Sequence, residues 1–117
     1  MPPPSQLVIG TNSLKRLIKE EASYHKEMEQ EEAEIKALKD KISSGQGDEN
    51  AEFMLKQQQT ALEQTKAVFE PLRERIAAAA EKLEEQITAA EEDGGQDLQI
   101  QQAKEALAQS KATQNGA

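Results

Sequence analysis

The chain has no cysteine and no tryptophan, a single histidine and only three aromatic residues, Tyr24, Phe53 and Phe69. Without cysteine there is no thiolate nucleophile, no disulfide framework and no zinc-finger ligand set. So few aromatics leave strands without the residues that stabilise a half-buried sheet. No apolar run approaches the roughly 18 residues that a membrane span needs. The first five residues, Met1-Pro2-Pro3-Pro4-Ser5, have neither a charged nor an apolar leader segment, so secretion is not indicated. Cations are in short supply: 14 Lys and Arg face 22 Asp and Glu, for a net charge of −8. Nucleic-acid phosphates need a cationic footprint, so that class of partner is disfavoured.

What is present is helix-forming. Ala, Glu, Lys, Leu and Arg make up half of the 117 residues, the bias of coiled coils and long-helix bundles. Residues 2–12 read as a short arm whose apolar part is Leu7, Val8 and Ile9. From Leu14 the positions Leu14, Leu17, Glu21, Tyr24, Met28, Glu31, Ile35, Leu38 and Ile42 alternate spacings of three and four. That is a heptad seam held over four heptads. The breaker-rich stretch Ser43-Ser44-Gly45-Gln46-Gly47-Asp48 ends it.

A second seam runs through Leu55, Gln58, Leu62, Thr65, Phe69, Leu72, Ile76, Ala79, Leu83, Gln86 and Ala90, with Ile87 beside it. Pro71 falls inside, where a helix interior loses about 3 kcal/mol. A break into two helices competes with one kinked helix. No turn residues flank the proline, and Leu62, Phe69, Ile76 and Leu83 keep strict sevens across it. One long kinked helix is the expectation. Gly94 and Gly95 stop it. A third segment carries Leu98, Ile100, Ala103 and Leu107 on a loose apolar face.

The predicted fold is all-α: an elongated up-down-up three-helix bundle with heptad-type packing. A flexible arm covers residues 1–12, the bundle 13–112 (helices about 13–42, 50–92 and 96–112), and a frayed tail 113–117. Short connections make sequential helices antiparallel neighbours. The core is thin, and leftover apolar surface is compatible with either a monomer or a homodimer.

Catalytic and metal-site patterns are missing. The acidic run at 27–34 lacks the alternating ligands and glycine turn of a calcium loop, and no Glu-x-x-His pair exists for a di-metal bundle. His25 has no nucleophile or ligand partner, no serine sits in a nucleophile elbow, and there is no phosphate loop. The expectation is a non-enzyme with no catalytic residues, no metal and no cofactor. Glu31, a carboxylate at a seam position, either snorkels at the bundle edge or meets a lysine of another helix. Lys15, Arg16 and Lys19 lie off the seam in the first two turns of the expected helix, where the helix dipole disfavours cations. Lys15 and Lys19 also form a like-charged i, i+4 pair. A basic cluster so placed on an acidic protein is a candidate contact surface.

The same residues carry a family resemblance. Residues 6–27, and within them Lys15-Arg16-Leu17-x-Lys19-Glu20-x-x-x-Tyr24-x-Lys26-Glu27, resemble the first helix of tubulin-binding cofactor A. A long second helix with a central proline and a short third helix are similar too. Arg73 and Arg75, after Pro71, resemble a basic segment of that family. The Ala77-Ala78-Ala79-Ala80 run and the polar tail depart from it. The resemblance implies a small cytoplasmic, cytoskeleton-associated chaperone of tubulin folding. It would hold β-tubulin after chaperonin release and before αβ-heterodimer assembly, without nucleotide or membrane. Other tubulin-folding cofactors are further expected partners. By carry-over, Lys15, Arg16, Lys19, Glu20, Lys26 and Glu27 are expected to touch β-tubulin, with Arg73 and Arg75 a second set; Tyr24 is expected in the core. The competing expectation is a generic coiled-coil scaffold or homo-oligomer.

Overall fold

A computed structural model describes residues 5–115. Three helices follow one another: α1 (Gln6–Ser43), α2 (Ala51–Asp93) and α3 (Asp97–Asn115). No strand occurs among the described residues, so the architecture is the all-α three-helix one. The helix ends follow local chemistry. Ser5 caps α1, its Oγ accepting from the Val8 N–H at 3.2 Å. Gly45, at φ 79°, closes α1. Its N–H donates to the Ile42 carbonyl and that of Gln46 to the Lys41 carbonyl, the paired bonds of a Schellman stop. Asp48 Oδ1 accepts from the Asn50 N–H at 2.9 Å ahead of α2.

α1 begins at Gln6, not near residue 13. The expected arm is therefore helical from Gln6 onward, while residues 1–4 lie outside the described residues. The reason is tertiary burial. Leu7 and Leu14 belong to the same run of sevens as Glu21, and Leu7, Thr11, Leu14 and Ile18 are all buried. Gly10, poor in a helix by about 1 kcal/mol, sits against Gln86 and Leu83, where an added Cβ would lie 3.3 Å from Leu83 Cδ1. Packing thus overrides the weak local propensity of this segment. At the other end α3 continues to Asn115, past the expected limit of 112; the remainder of the expected tail, 116–117, lies outside the described residues.

α2 runs through Pro71 as one helix. Pro71 is exposed, so the Ala67 carbonyl that loses its i+4 donor faces the solvent side of the helix. On α3, Ala103, Ala106, Leu107 and Ser110 are buried, but Leu98 is 61 % exposed. It does not join the expected apolar face because it lies five residues before Ala103, a spacing that turns it away.

The chain packs as two compact units, one within Met1–Glu21 and Pro71–Ala117, the other Ala22–Glu70. In unit 1, Glu20 meets Arg75 while Gly10 meets Leu83 and Gln86, so α1 and α2 are antiparallel. Lys104 with Glu91 and Lys111 with Glu84 make α3 antiparallel to α2. The unit therefore runs up, down and up, and its three helices bury Leu14, Leu72, Ile76 and Leu83 almost completely. Unit 2 is an α1–α2 hairpin. Tyr24 and His25 pack on Phe69, with ring centroids 6.4 and 4.5 Å away. Here Ile35, Ala51, Thr65 and Phe69 are buried, whereas Tyr24, Met28, Glu31, Leu38, Ile42, Leu55, Gln58 and Leu62 are half-buried. Two helices shield a seam less well than three.

Candidate protein-binding surface

The candidate contact residues come from α1 and α2. Within unit 1, Lys15, Arg16 and Lys19 are exposed and Glu20 is half-buried. Lys15 and Lys19 are one turn apart on the same side of α1, with Arg16 adjoining. None of the three cations forms an ion pair among the described residues. Lys36, Lys39 and Lys41 are exposed and without an ion pair among those residues too, so what marks the α1 group is its compact i, i+1, i+4 spacing within the segment that carries the family resemblance. The dipole argument, by contrast, does not hold. With α1 starting at Gln6, Lys15 stands in the third turn, beyond the first turn over which a macrodipole acts.

Glu20 and the two α2 arginines are engaged within the unit. Arg75 Nη1 lies 3.9 Å from Glu20 Oε1, both side chains reaching solvent. Arg73 Nε lies 3.7 Å from Glu21 Oε2. Arg73 therefore serves the interior of the unit as well as its surface. Arg75 keeps most of its side chain exposed. In unit 2, Lys26 and Glu27 are exposed, and Tyr24 is half-buried, edge-on to Phe69 at 75°. On α2, Ala77 and Ala78 are exposed while Ala79 and Ala80 are half-buried, so half of the alanine run is spent on packing.

Glu21 is the residue that sequence reasoning passed over. It occupies a seam position with only 2 % of its surface exposed. Gln114 Nε2 donates to both of its carboxylate oxygens at 3.2 Å, and Arg73 supplies the charge. A polar residue within an apolar heptad was the available signal, but its amide partner lies 93 residues away. Glu31, the seam carboxylate that was singled out, meets no lysine: it forms no ion pair among the described residues, and its Oε1 is buried without a donor.

Among the described residues, no group of three or more His, Cys, Asp or Glu could hold a metal ion. No helix is long and apolar enough to cross a membrane.

Comparison with known proteins converges on one family. The family described as Tubulin binding cofactor A matches residues 2–107. The Tubulin-specific chaperone A of Saccharomyces cerevisiae is 38 % identical over 73 residues, which is 62 % of this chain and 63 % of the yeast protein. No solved structure matches. A match over nine-tenths of the chain, on a three-helix architecture, carries the assignment: this chain belongs to the tubulin binding cofactor A family.

Proposed function

We propose that this protein is a tubulin-folding chaperone that binds and holds β-tubulin after its release from the chaperonin, before αβ-heterodimer assembly. Lys15, Arg16 and Lys19 on α1 are its principal contacts. Glu20 and Arg75 form the neighbouring polar rim in unit 1, Arg73 contributes in part, and Lys26 and Glu27 are contacts on unit 2. The observation that carries this reading is the set of three exposed cations without an acidic partner on a chain of net charge −8. Family membership and the yeast relative's name support tubulin as the partner; the β subunit is part of the proposal. The action is capture by a rigid helical surface; it needs no nucleotide, metal or catalytic group, and places the protein in the cytoplasm beside the cytoskeleton. Other tubulin-folding cofactors would receive the captured subunit.

A self-associating scaffold is less well supported. The apolar seams of α1 and α2 face each other within the same chain, so little seam is left in unit 1 for a second copy.

The test is native co-elution with freshly released β-tubulin, with α-tubulin as control. A complex with β-tubulin and none with α-tubulin is the expected result. Exposed charges at the rim of an interface contribute modestly each. The combined change Lys15→Glu, Arg16→Glu and Lys19→Glu should therefore weaken binding by about tenfold or more, roughly 1.4 kcal/mol. Helical content by circular dichroism should stay unchanged, since all three side chains are exposed. Raising salt should weaken the wild-type complex and leave the reversed variant less affected. Unchanged binding after charge reversal would remove the cluster from the interface.

A further inference from the structure

In unit 1 the seam carboxylate Glu21 is satisfied by the third helix: α3 delivers Gln114 to it, with Arg73 of α2 beside it. Unit 2 also has a carboxylate in its seam, Glu31, but it is built from α1 and α2 alone. Glu31 Oε1 is buried with no hydrogen-bond partner, and so is Oε1 of Gln58. Tyr24 packs on Phe69, and both Ile42 and Ala51 close around Gly47. That antiparallel register puts Glu31 opposite about residue 62, roughly one helical turn from Gln58.

Two acceptors sealed from water without a donor carry a desolvation cost that nothing in the hairpin offsets. Only Oε1 of Glu31 is buried without a partner; the residue as a whole is half-buried, and its other carboxylate oxygen is the side from which a donor can reach it. Along the same hairpin seam Met28, Leu38, Leu55 and Leu62 are half-buried apolar side chains. The strip thus combines apolar surface with an acidic centre that lacks a donor, the complement of an amphipathic helix bearing a cation. Helix-in-groove recognition works on this pattern, and a lysine or arginine would supply the missing donors together with opposite charge.

We propose that unit 2 is a docking surface for an amphipathic helix of the bound protein, whose lysine or arginine pairs with Glu31. On unit 2 that helix takes the role α3 has on unit 1. The occupant rests on the tubulin-binding reading above: a helix of β-tubulin.

The test uses the full chain carrying Glu31→Leu or Glu31→Gln, each measured for thermal midpoint and for β-tubulin binding. Replacing a donor-less buried carboxylate by leucine should raise Tm by about 4 °C or more. The same change should weaken β-tubulin binding at least tenfold. Glu31→Gln, which keeps the size and an acceptor but loses the charge, should also weaken binding and reduce its salt sensitivity. Hydrogen exchange in the wild-type complex should show new protection over residues 24–38 and 55–69. An unchanged Tm for Glu31→Leu, unchanged binding by both variants, or protection confined to unit 1 would each overturn the proposal. A wild-type chain that binds no β-tubulin is a different failure. It overturns the functional reading and, with it, β-tubulin as the occupant.

Discussion

Leu83→Ala should lower the stability of the protein by about 3–5 kcal/mol, whereas Leu62→Ala should cost only about 1–2 kcal/mol. Both are leucines of the same α2 heptad run, three sevens apart, and helix propensity treats them alike. The difference is their surroundings. Leu83 is in unit 1, has none of its surface exposed and touches the position of Gly10 on α1. Truncating it leaves a cavity closed off from solvent, whose walls cannot collapse without moving α1 at Gly10. Leu62 is in the two-helix unit and half-buried, so the atoms removed there were partly in water already, and water can refill the space. Thermal unfolding followed by circular dichroism reads the contrast: a fall in Tm of about 12 °C or more for Leu83→Ala and about a third of that for Leu62→Ala. Equal losses would mean that α3 adds no protection to its unit.

Arg73→Leu should destabilise the chain by about 2–3 kcal/mol, and the double change Glu21→Leu with Arg73→Leu should recover most of that loss. The reasoning starts from Glu21, which is almost wholly buried. A buried carboxylate is costly alone and tolerable only when paired and hydrogen-bonded. Gln114 contributes hydrogen bonds but no charge; Arg73 contributes the charge at 3.7 Å. Removing the guanidinium leaves an uncompensated anion at a position with only 2 % of its surface exposed. The expected cost falls below the 3–5 kcal/mol typical of a fully buried pair because 42 % of the Arg73 side chain is exposed and water screens part of the interaction. Replacing both partners by leucine removes the anion and its desolvation cost together. Urea denaturation of the wild type, both single variants and the double variant gives the coupling energy directly. A coupling near zero would show that the pair contributes geometry without charge compensation.

The two outcomes bear on function as well as on stability. Unit 1 is the three-helix part of the chain, and the cations Lys15, Arg16 and Lys19 are displayed from it. A preorganised helix face binds without paying to order itself. Arg73 is the place where the two roles overlap. Its α2 position was expected to be a contact, yet its guanidinium is turned to Glu21, so a substitution there changes stability first. Arg75, paired only at the surface with Glu20, separates the two effects. Measuring Arg73 and Arg75 variants side by side distinguishes loss of the fold from loss of its surface.

Much of this protein is determined by local sequence pattern. The alternation of threes and fours from Leu14 to Ile42 and from Leu55 to Ala90 fixes which sides of α1 and α2 turn inward, because a helix repeats every 3.6 residues whatever surrounds it. Every one of those positions is buried or half-buried. Gly45 and Gly94 fix where α1 and α2 stop, since each takes a positive φ that side chains disfavour. The family resemblance of residues 6–27 was legible for the same reason: it is written in contiguous residues.

Tertiary structure decided the rest. Helix over residues 6–12 exists because Leu7 and Thr11 find a core and Gly10 lets α2 approach, conditions that no local window contains. Leu98 turns outward because α3 docks through Ala103, Ala106 and Leu107. Glu21 and Glu31 are both seam carboxylates ten residues apart on one helix, and sequence gives no ground for treating them differently. One receives Gln114 and Arg73 and the other receives no donor. A hydrogen-bond partner is a matter of distance in space, and only the packing of α3 determines which carboxylate has one.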